Sequence, residues 1–483
     1  MMYIDALLVH LNLWILWKMV SMILILLISF IQSLHNFYLF FSNNEASYEQ
    51  TLLNISKYFH LYIEEIEDII RPMIENDTPL TKEIQGNKTF LPRKLLVTMP
   101  KVMRKETYKP QDFVINGDLD LKTNRLYIPL HAVLELTMQC HTDCVYCYAD
   151  RRLKKNVFLA TNIAVDFIKN AKALGFTDIE INGGEVLLHP GIKKILETLV
   201  ECGYNSLIST KMPIDEVTVK YLKRIGITRL QISVDSLNDV IAKQMIHKSD
   251  VYIQRLIKTM ELLDLYEFHW HVNTVLTKIN CDLSNIKNLI DFLQKYHHLE
   301  SVKLSPMGFP MYKEYHTFDK LHASSEQLLT IKEYSKTLNS DKYKYKLIVS
   351  EEDKELDYLC KKWDTFNERP SCTANRKAFN VLPDGQVTIC EELYWNPSFI
   401  IGDISHNDIM EIWNSPKAKE LFFISEKKIS KESVCHDCFQ LTKCRHYKGV
   451  CWKMVIMAYG DNHWDFPDPR CPNAPFPLNK FYV

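Results

Sequence analysis

Cys140, Cys144 and Cys147, with three and then two residues between them, follow directly on an apolar run from Val133 to Met138. Three thiolates so placed hold three irons of a 4Fe-4S cube and leave the fourth iron open to a small chelating ligand, whereas a fully ligated cube needs four. An open iron implies chemistry rather than electron storage alone. The competing reading is a structural zinc site, but zinc prefers paired CxxC knuckles and four ligands.

A second concentration lies near the C-terminus, where eight of the thirteen cysteines fall between Cys360 and Cys471. Pro383-Asp384-Gly385 separates Phe379 to Leu382 from Gln386 to Ile389, so a turn joins two short strands in a hairpin. Cys372 and Cys390 flank it, and antiparallel pairing brings such flanks together, as two ligands of one site require. Cys435 and Cys438 follow with two residues between them, then Cys444, Cys451 and, after a longer gap, Cys471. A zinc knuckle at Cys435 and Cys438 is the alternative, and it leaves the neighbouring cysteines without a role. Cys202 and Cys281 fall outside every motif. Cys202, near Leu199 and Val200 in an apolar helix, reads as core packing.

The middle of the chain supplies a scaffold. Six short apolar or alternating runs read as strands: Val133 to Met138, Thr177 to Asn182, Asn205 to Ser209, Thr228 to Val234, His269 to Leu276 and Ser301 to Leu304. Between the first two, Ile163, Phe167, Ala171 and Leu174 recur at helical intervals, closed by Gly175. This is a parallel βα pattern, and six units over about 170 residues fit a partial barrel, whose ligands collect at the C-terminal ends of the strands. The cysteine loop falls at such an end. So does Asn182-Gly183-Gly184-Glu185, where adjacent glycines let the backbone approach a ligand; a simple turn accounts for the glycines but not for the acid after them. The third strand runs into Ser209-Thr210-Lys211. The fourth ends in Ser233-Val234-Asp235-Ser236, whose hydroxyls and acid suit a ribose or a carboxylate, or else cap the next helix.

Written as CxxxCxxC with Tyr146 before its last cysteine, the loop resembles the signature of the radical S-adenosylmethionine (SAM) superfamily. The resemblance implies a 4Fe-4S cluster on Cys140, Cys144 and Cys147 whose open iron chelates SAM. An electron from that cluster then cleaves SAM to a 5'-deoxyadenosyl radical, so the cofactor does the hard step and the protein aims it. The implied fold is α/β, a partial (βα)6 TIM-like barrel. Gly183, Gly184 and Glu185 are similar to the family's GGE motif, which implies contact with the methionyl amino group. Ser233 and Asp235, with Asn273 on the fifth strand, are the further SAM-binding candidates.

The C-terminal cysteines resemble the SPASM extension, which binds two auxiliary 4Fe-4S clusters. By that resemblance Cys372, Cys390 and Cys451 share the first, with Cys360 as its fourth ligand, and Cys435, Cys438, Cys444 and Cys471 bind the second. Two departures stand. Six residues precede Cys451 where the usual pattern has three, and Cys360 lies farther upstream than that pattern places it, so a first auxiliary cluster with an open iron is the alternative. Glu391 or Glu392, directly after Cys390, offers a base beside that cluster, and Glu391 is the catalytic candidate.

A chain of 483 residues is expected to hold more than one domain. The divisions fall at a hydrophobic segment (1–45), a small unit (48–125), the barrel (128–345) and the cysteine-rich SPASM extension (355–483). In the small unit a segment ending near Phe59 precedes Ile63, Ile66, Ile70 and Met73 at helical intervals and a strand-like Lys94 to Thr98. This suggests a winged helix. Radical SAM enzymes that modify ribosomal peptides often use such a unit to capture the leader of the substrate; a plain helical cap on the barrel is the alternative. A formal charge of −1 and the lack of a basic recognition helix speak against nucleic acid.

The uncharged run from Met19 to Asn44 is long enough to span a bilayer. Spanning with Lys18 inside would put oxygen-sensitive clusters outside, and no signal-peptide cleavage site stands out. Three readings stay open: an interfacial helix, a reversed membrane anchor, or an upstream extension with translation starting at Met19 or Met22. Thirteen cysteines serving low-potential clusters call for a reducing compartment, so the expected location is the cytoplasm, with residues 1–45 offering membrane association. The function implied is a maturase that abstracts hydrogen from a ribosomally made peptide or protein, with thioether or other crosslinking leading, served by a reductant such as flavodoxin or ferredoxin. The alternatives are a sulfatase-type maturase forming formylglycine, and an iron-sulfur peptide-binding or electron-transfer protein without SAM cleavage.

Overall fold

The computed structural model describes residues 47–75, 80–84, 87–91, 125–126, 128–149, 156–248, 250–311, 315–338, 344–350 and 362–478. Segment 1–45, Lys94 to Thr98 and Cys360 lie outside the described residues. The chain forms two compact units, Met1–Leu121 and Lys122–Val483. Among the described residues no helix is long and apolar enough to cross a membrane.

In the first unit, α1 (Tyr48–Phe59) starts where the Ser47 hydroxyl accepts the Gln50 N–H and stops at His60, which turns left-handed at φ 55°. α2 (Ile63–Glu75) follows. Leu52 and Ile55 of the first helix are buried; of the residues at helical spacing in the second, Ile66 and Ile70 are buried whereas Ile63 at its start is exposed. An antiparallel hairpin of β1 (Leu80–Ile84) and β2 (Asn87–Leu91), which the sequence reading did not anticipate, comes next.

In the second unit all six expected strands form, their bounds shifted by at most three residues: β3 (His131–Thr137), β4 (Asp178–Gly183), β5 (Ile208–Thr210), β6 (Arg229–Ser233), β7 (His269–Leu276) and β8 (Leu299–Pro306). The helices between them are α3 (Thr161–Leu174), α4 (Ile192–Glu201), α5 (Glu216–Ile225), α6 (Asp239–Ile246), α7 (Asp250–Leu265) and α8 (Leu283–Leu293). β3 pairs with β4, and β5 to β8 pair in sequence, all parallel. After α9 (Tyr315–Leu321) and α10 (Ser325–Thr337), an unanticipated β9 (Lys346–Val349) adds in parallel to β8. Period-two burial marks β7, where Trp270, Val272, Thr274 and Leu276 are buried and the residues between them are not, whereas β3 is buried on both faces from Ala132 to Thr137.

β4 and β5 belong to different sheets, and side chains close the seam between them. Ser206 Oγ donates to Ile179 O at 2.5 Å and Tyr204 OH to Phe176 O at 3.2 Å. The C-terminal region begins with α11 (Trp363–Glu368) and then forms the expected hairpin from β10 (Ala378–Val381) and β11 (Gln386–Thr388), extended by β12 (Ile400–Asp403). β10 pairs in parallel with β3, Ala378 opposite His131 and Val381 opposite Leu134. The barrel sheet thus runs on into the cysteine-rich region. Phe379 secures the junction, its ring 6.0–6.1 Å from Phe167, Phe176 and Trp413. α12 (Ile409–Trp413), α13 (Pro416–Phe422) and α14 (Trp452–Tyr459) complete the unit.

Candidate functional site

The cysteine loop leaves β3 at the C-terminal mouth of the barrel, and the two glycines of the next strand grip its stem. Gly184 N–H donates to Thr137 O at 2.6 Å and Glu185 N–H to Gln139 O at 2.7 Å. The approach is so close that a Cβ on Gly183, whose φ is +123°, would stand 2.3 Å from Thr137 O, and one on Gly184 2.2 Å from Gln139 O. Gln139 precedes Cys140, so the glycines fix where the first thiol starts. Gly184→Ala is therefore expected to lower stability by about 1–3 kcal/mol and to reduce iron bound at the loop. Iron content and a denaturation midpoint both at wild-type values would refute this.

Glu185 is 2% exposed and its carboxylate spans the seam. It accepts from Thr210 Oγ1 at 2.8 Å and from the Lys211 and Met212 N–H groups at 3.2 Å, and also from Leu187 N–H at 3.4 Å. Burial raises its pKa, and these hydrogen bonds oppose the rise. In this arrangement its first task is to hold the end of β4 to the end of β5.

Asp235 is 5% exposed and engaged. Its Oδ2 accepts from Lys211 Nζ and Tyr146 OH, both at 2.5 Å, and its Oδ1 from Val275 N–H at 3.2 Å; Lys211 also contacts Tyr146 OH. Burial alone would lower the Lys211 pKa, but Asp235 together with Cys144 and Cys140 raises it. Tyr146 lies inside the cysteine motif, so this trio ties the loop to the ends of β5 and β6. Lys211 was read in the sequence only as the end of a strand; a lone cation at a barrel mouth was the available signal. The following helix is capped by Asn238, which accepts from Val240 and Ile241, and not by Asp235 or Ser236. Ser233 and Asn273 lie opposite each other on β6 and β7. Asn273 Oδ1 is buried without a hydrogen-bond partner, an arrangement that awaits a donor.

The three thiols of the loop are half-buried, and Thr142 Oγ1 lies 3.3 Å from Cys144 Sγ and 3.8 Å from Cys140 Sγ. Among the described residues the trio of ligand-type atoms lying within 4.8 Å of one another is His131, Asp178 and Glu180, and no cysteine trio is so tight. Tetrahedral zinc with bonds of about 2.3 Å needs sulfurs about 3.8 Å apart. No three cysteine sulfurs among the described residues are drawn to that spacing.

The later cysteines separate into two neighbourhoods. Cys390 lies in the electrostatic reach of Cys451 and Cys372, and burial foremost pushes its thiol up to about 12 and that of Cys451 up to about 11. Cys471 is pushed up to about 12 by burial, reinforced by Cys444, Cys435 and Cys438. The last four line one cavity together with Trp363, Phe366 and Asp468. The structure thus places Cys372, Cys390 and Cys451 near one another and Cys435, Cys438, Cys444 and Cys471 around one cavity, while Cys360 lies outside the described residues. Asp468, wholly buried, lines the second cavity and also accepts the Cys451 N–H at 3.2 Å. Its carboxylate takes both forks of Arg470 at 2.8 Å.

Glu391 directly follows Cys390 and accepts from Asn182 Nδ2 of β4 at 3.2 Å. Burial, then the charge of Glu392, raises its pKa. Glu392 itself pairs with Lys453 at 2.7 Å, leaving Glu391 as the carboxylate turned toward β4. Glu135 of β3 is 3% exposed with Oε1 unpartnered, and burial followed by the charge of Glu391 raises its pKa well above the ordinary range. Tyr148 and Tyr394 feel both Glu135 and Cys147. Tyr394 sits at φ 41°, a strained value for a tyrosine. The sequence reading missed Glu135 and both tyrosines, since a lone acid in an apolar strand resembles a simple break in the alternation.

Residues 134–293 match the family model described as Radical SAM superfamily, and residues 372–439 the SPASM model, described as an iron-sulfur cluster-binding domain. The antilisterial bacteriocin subtilosin biosynthesis protein AlbA of Bacillus subtilis is 24% identical over 351 residues, which is 71% of this chain and 70% of that one. A GTP 3',8-cyclase of Clostridium botulinum is 27% identical over 227 residues, 44% of this chain and 69% of its own. Among solved structures, Streptococcus suis SuiB bound to precursor peptide SuiA has the same fold with TM-score 0.60 and 16% identity, over 91% of this chain and 92% of that one. SuiB bound to S-adenosylmethionine gives 0.53 and 18%, over 72% and 79%. The cysteine loop at the mouth of a parallel barrel and the cysteine sets beyond it have the family they resembled: the chain is a radical SAM enzyme with a C-terminal SPASM domain that binds auxiliary iron-sulfur clusters.

Proposed function

We propose that this enzyme modifies a ribosomally made precursor peptide by hydrogen abstraction, forming a thioether or another crosslink, and that Glu391 is its general base. The observation that supports this most is the position of Glu391, beside Cys390 and bonded to Asn182 on the strand next to the cysteine loop. A carboxylate there can take a proton from a substrate lying between the SAM-cleaving loop and the first auxiliary cysteines. SAM, when bound, supplies the hydrogen-abstracting radical. Ser233 and Asn273 would contact it, the glycines and the Lys211–Asp235–Tyr146 trio would hold the loop that receives it, and buried Glu135 would keep the mouth dry and neutral. AlbA is named for subtilosin biosynthesis and SuiB was solved with its precursor peptide, which favours a peptide substrate. The helix pair and hairpin of the first unit would take the leader, with exposed Leu53, Leu61 and Tyr62 as apolar contacts. A low-potential donor of the flavodoxin or ferredoxin type would supply electrons.

The test is anaerobic incubation of the reconstituted enzyme with SAM, reductant and any small cysteine-containing peptide found encoded beside its gene, followed by mass spectrometry. Loss of two hydrogens per modification with a new crosslink supports the proposal. An unmodified peptide despite 5'-deoxyadenosine formation, or an aldehyde trapped by hydrazide, overturns it. Glu391→Gln is expected to leave SAM cleavage intact and slow product formation by about 10²–10⁴-fold. A base acts deprotonated, so the raised pKa of Glu391 places the acid limb of the rate profile above the ordinary carboxylate value of about 4.3. Activity falls as pH drops through that limb, and the limb should vanish in the variant.

A further inference from the structure

Two buried arginines, Arg369 and Arg445, border the C-terminal thiols, and among the described residues neither has a carboxylate partner. Arg369 is 7% exposed; its Nη1 donates to Phe366 O at 2.7 Å, and its Nη2 lies 2.9 Å from Gly449 O and 3.2 Å from Cys444 Sγ. Arg445 is 4% exposed; its Nη2 donates to Asp465 O at 2.9 Å and Phe466 O at 2.6 Å and lies 3.8 Å from Cys435 Sγ. Among the described residues Nε of Arg369, and Nε and Nη1 of Arg445, are buried donors without a partner. Neither side chain forms an ion pair among the described residues, unlike Arg470, which has Asp468. Both stack on aromatic faces, Arg369 on Phe366 at 3.7 Å and Arg445 on Trp452 at 5.2 Å. Arg445 also lines the cavity of Cys435, Cys438, Cys444 and Cys471.

A buried guanidinium with spare donors and no carboxylate costs several kcal/mol unless an anion meets it. A 4Fe-4S cube with four thiolates is such an anion, two minus when oxidised and three minus when reduced. Hydrogen bonds to its sulfurs and nearby positive charge favour the more negative state. From this we infer that Arg369 and Arg445 form a charge-compensating shell for the second auxiliary cluster, hydrogen-bonding its sulfurs and raising its one-electron reduction potential. The inference rests on Cys435, Cys438, Cys444 and Cys471 being the ligands of that cluster. In the reduction the cluster gains one electron from an external donor, and no protein bond forms or breaks.

The experiment is an EPR-monitored redox titration of the full-length reconstituted protein, with iron counted in every sample. A Cys435→Ala/Cys438→Ala variant identifies the signal of the second auxiliary cluster; if it loses no cluster, the ligand assignment itself has failed. With the assignment intact, Arg369→Gln and Arg445→Gln should each reduce the equilibrium constant for reducing that cluster by about tenfold, a downward shift of about 59 mV. The other clusters should stay put. Arg369→Lys and Arg445→Lys, which keep the charge, should recover most of the shift. Where a Gln variant loses the cluster, retention in the Lys variant supports compensation; loss in both assigns the arginines to packing and overturns the inference. An unshifted midpoint with full iron overturns it too.

Discussion

Replacing Cys140, Cys144 and Cys147 together by alanine is expected to lower the iron of the anaerobically reconstituted enzyme from about 12 to about 8 per chain and to abolish 5'-deoxyadenosine formation. The loop has no other thiol to take over: Cys202 caps α4 and Cys281 is buried near α8, each in a different part of the barrel. The remaining irons should be indifferent to the change, because their ligands are held by the hairpin, the turn around Cys444 and the segment through Cys471. Iron and sulfide analysis with chromatography of the SAM products reads both effects. A fall from about 4 to none would leave a SAM-cleaving barrel without auxiliary clusters. Persistent cleavage in the variant would remove the loop from the chemistry altogether.

Asp468→Ala should be the most damaging single substitution away from the cysteines. It removes a wholly buried carboxylate, leaves Arg470 without its bidentate partner, and frees the Cys451 N–H. Breaking a buried pair from one side costs about 3–5 kcal/mol, and because Arg470 remains 28% exposed the lower figure is expected. Burial alone would raise the Asp468 pKa, but the hydrogen bonds and charge of Arg470 outweigh it and hold the carboxyl below its usual value. The stabilisation is therefore full above the ordinary aspartate range and disappears as pH falls through the depressed value. The wild type should lose stability in acid where the variant, already without it, changes less. Chemical denaturation across pH measures this; equal acid sensitivity in both proteins would contradict it.

The strands and cysteine spacings were legible because both are local. Short apolar or alternating runs mark β3 to β8 locally, and a turn of Pro383-Asp384-Gly385 needs only its neighbours. The grouping of Cys372, Cys390 and Cys451 came from resemblance, and the structure brings the three together. Pairing between distant segments was not legible. Nothing in Ala378 to Val381 says that its partner is β3, and β9 was too short to stand out. Ion pairs were equally hidden: Asp235 read as a ligand because it ends a strand, whereas its partner Lys211 lies on another. The arginines around the last cysteines carry no local signal of their burial, which depends on which loops fold over them.

The pairing of β10 with β3 also bears on how the molecule is made. Those partners stand roughly 250 residues apart in the chain, a separation that slows the closing of a sheet. Until the ribosome has delivered the hairpin, β3 presents an unpaired edge, and such edges invite association with other chains. A nascent barrel is therefore incomplete on the side from which its cysteine loop emerges. Truncation ahead of residue 378 should yield an aggregating chain rather than a free-standing barrel, which size-exclusion chromatography reads directly.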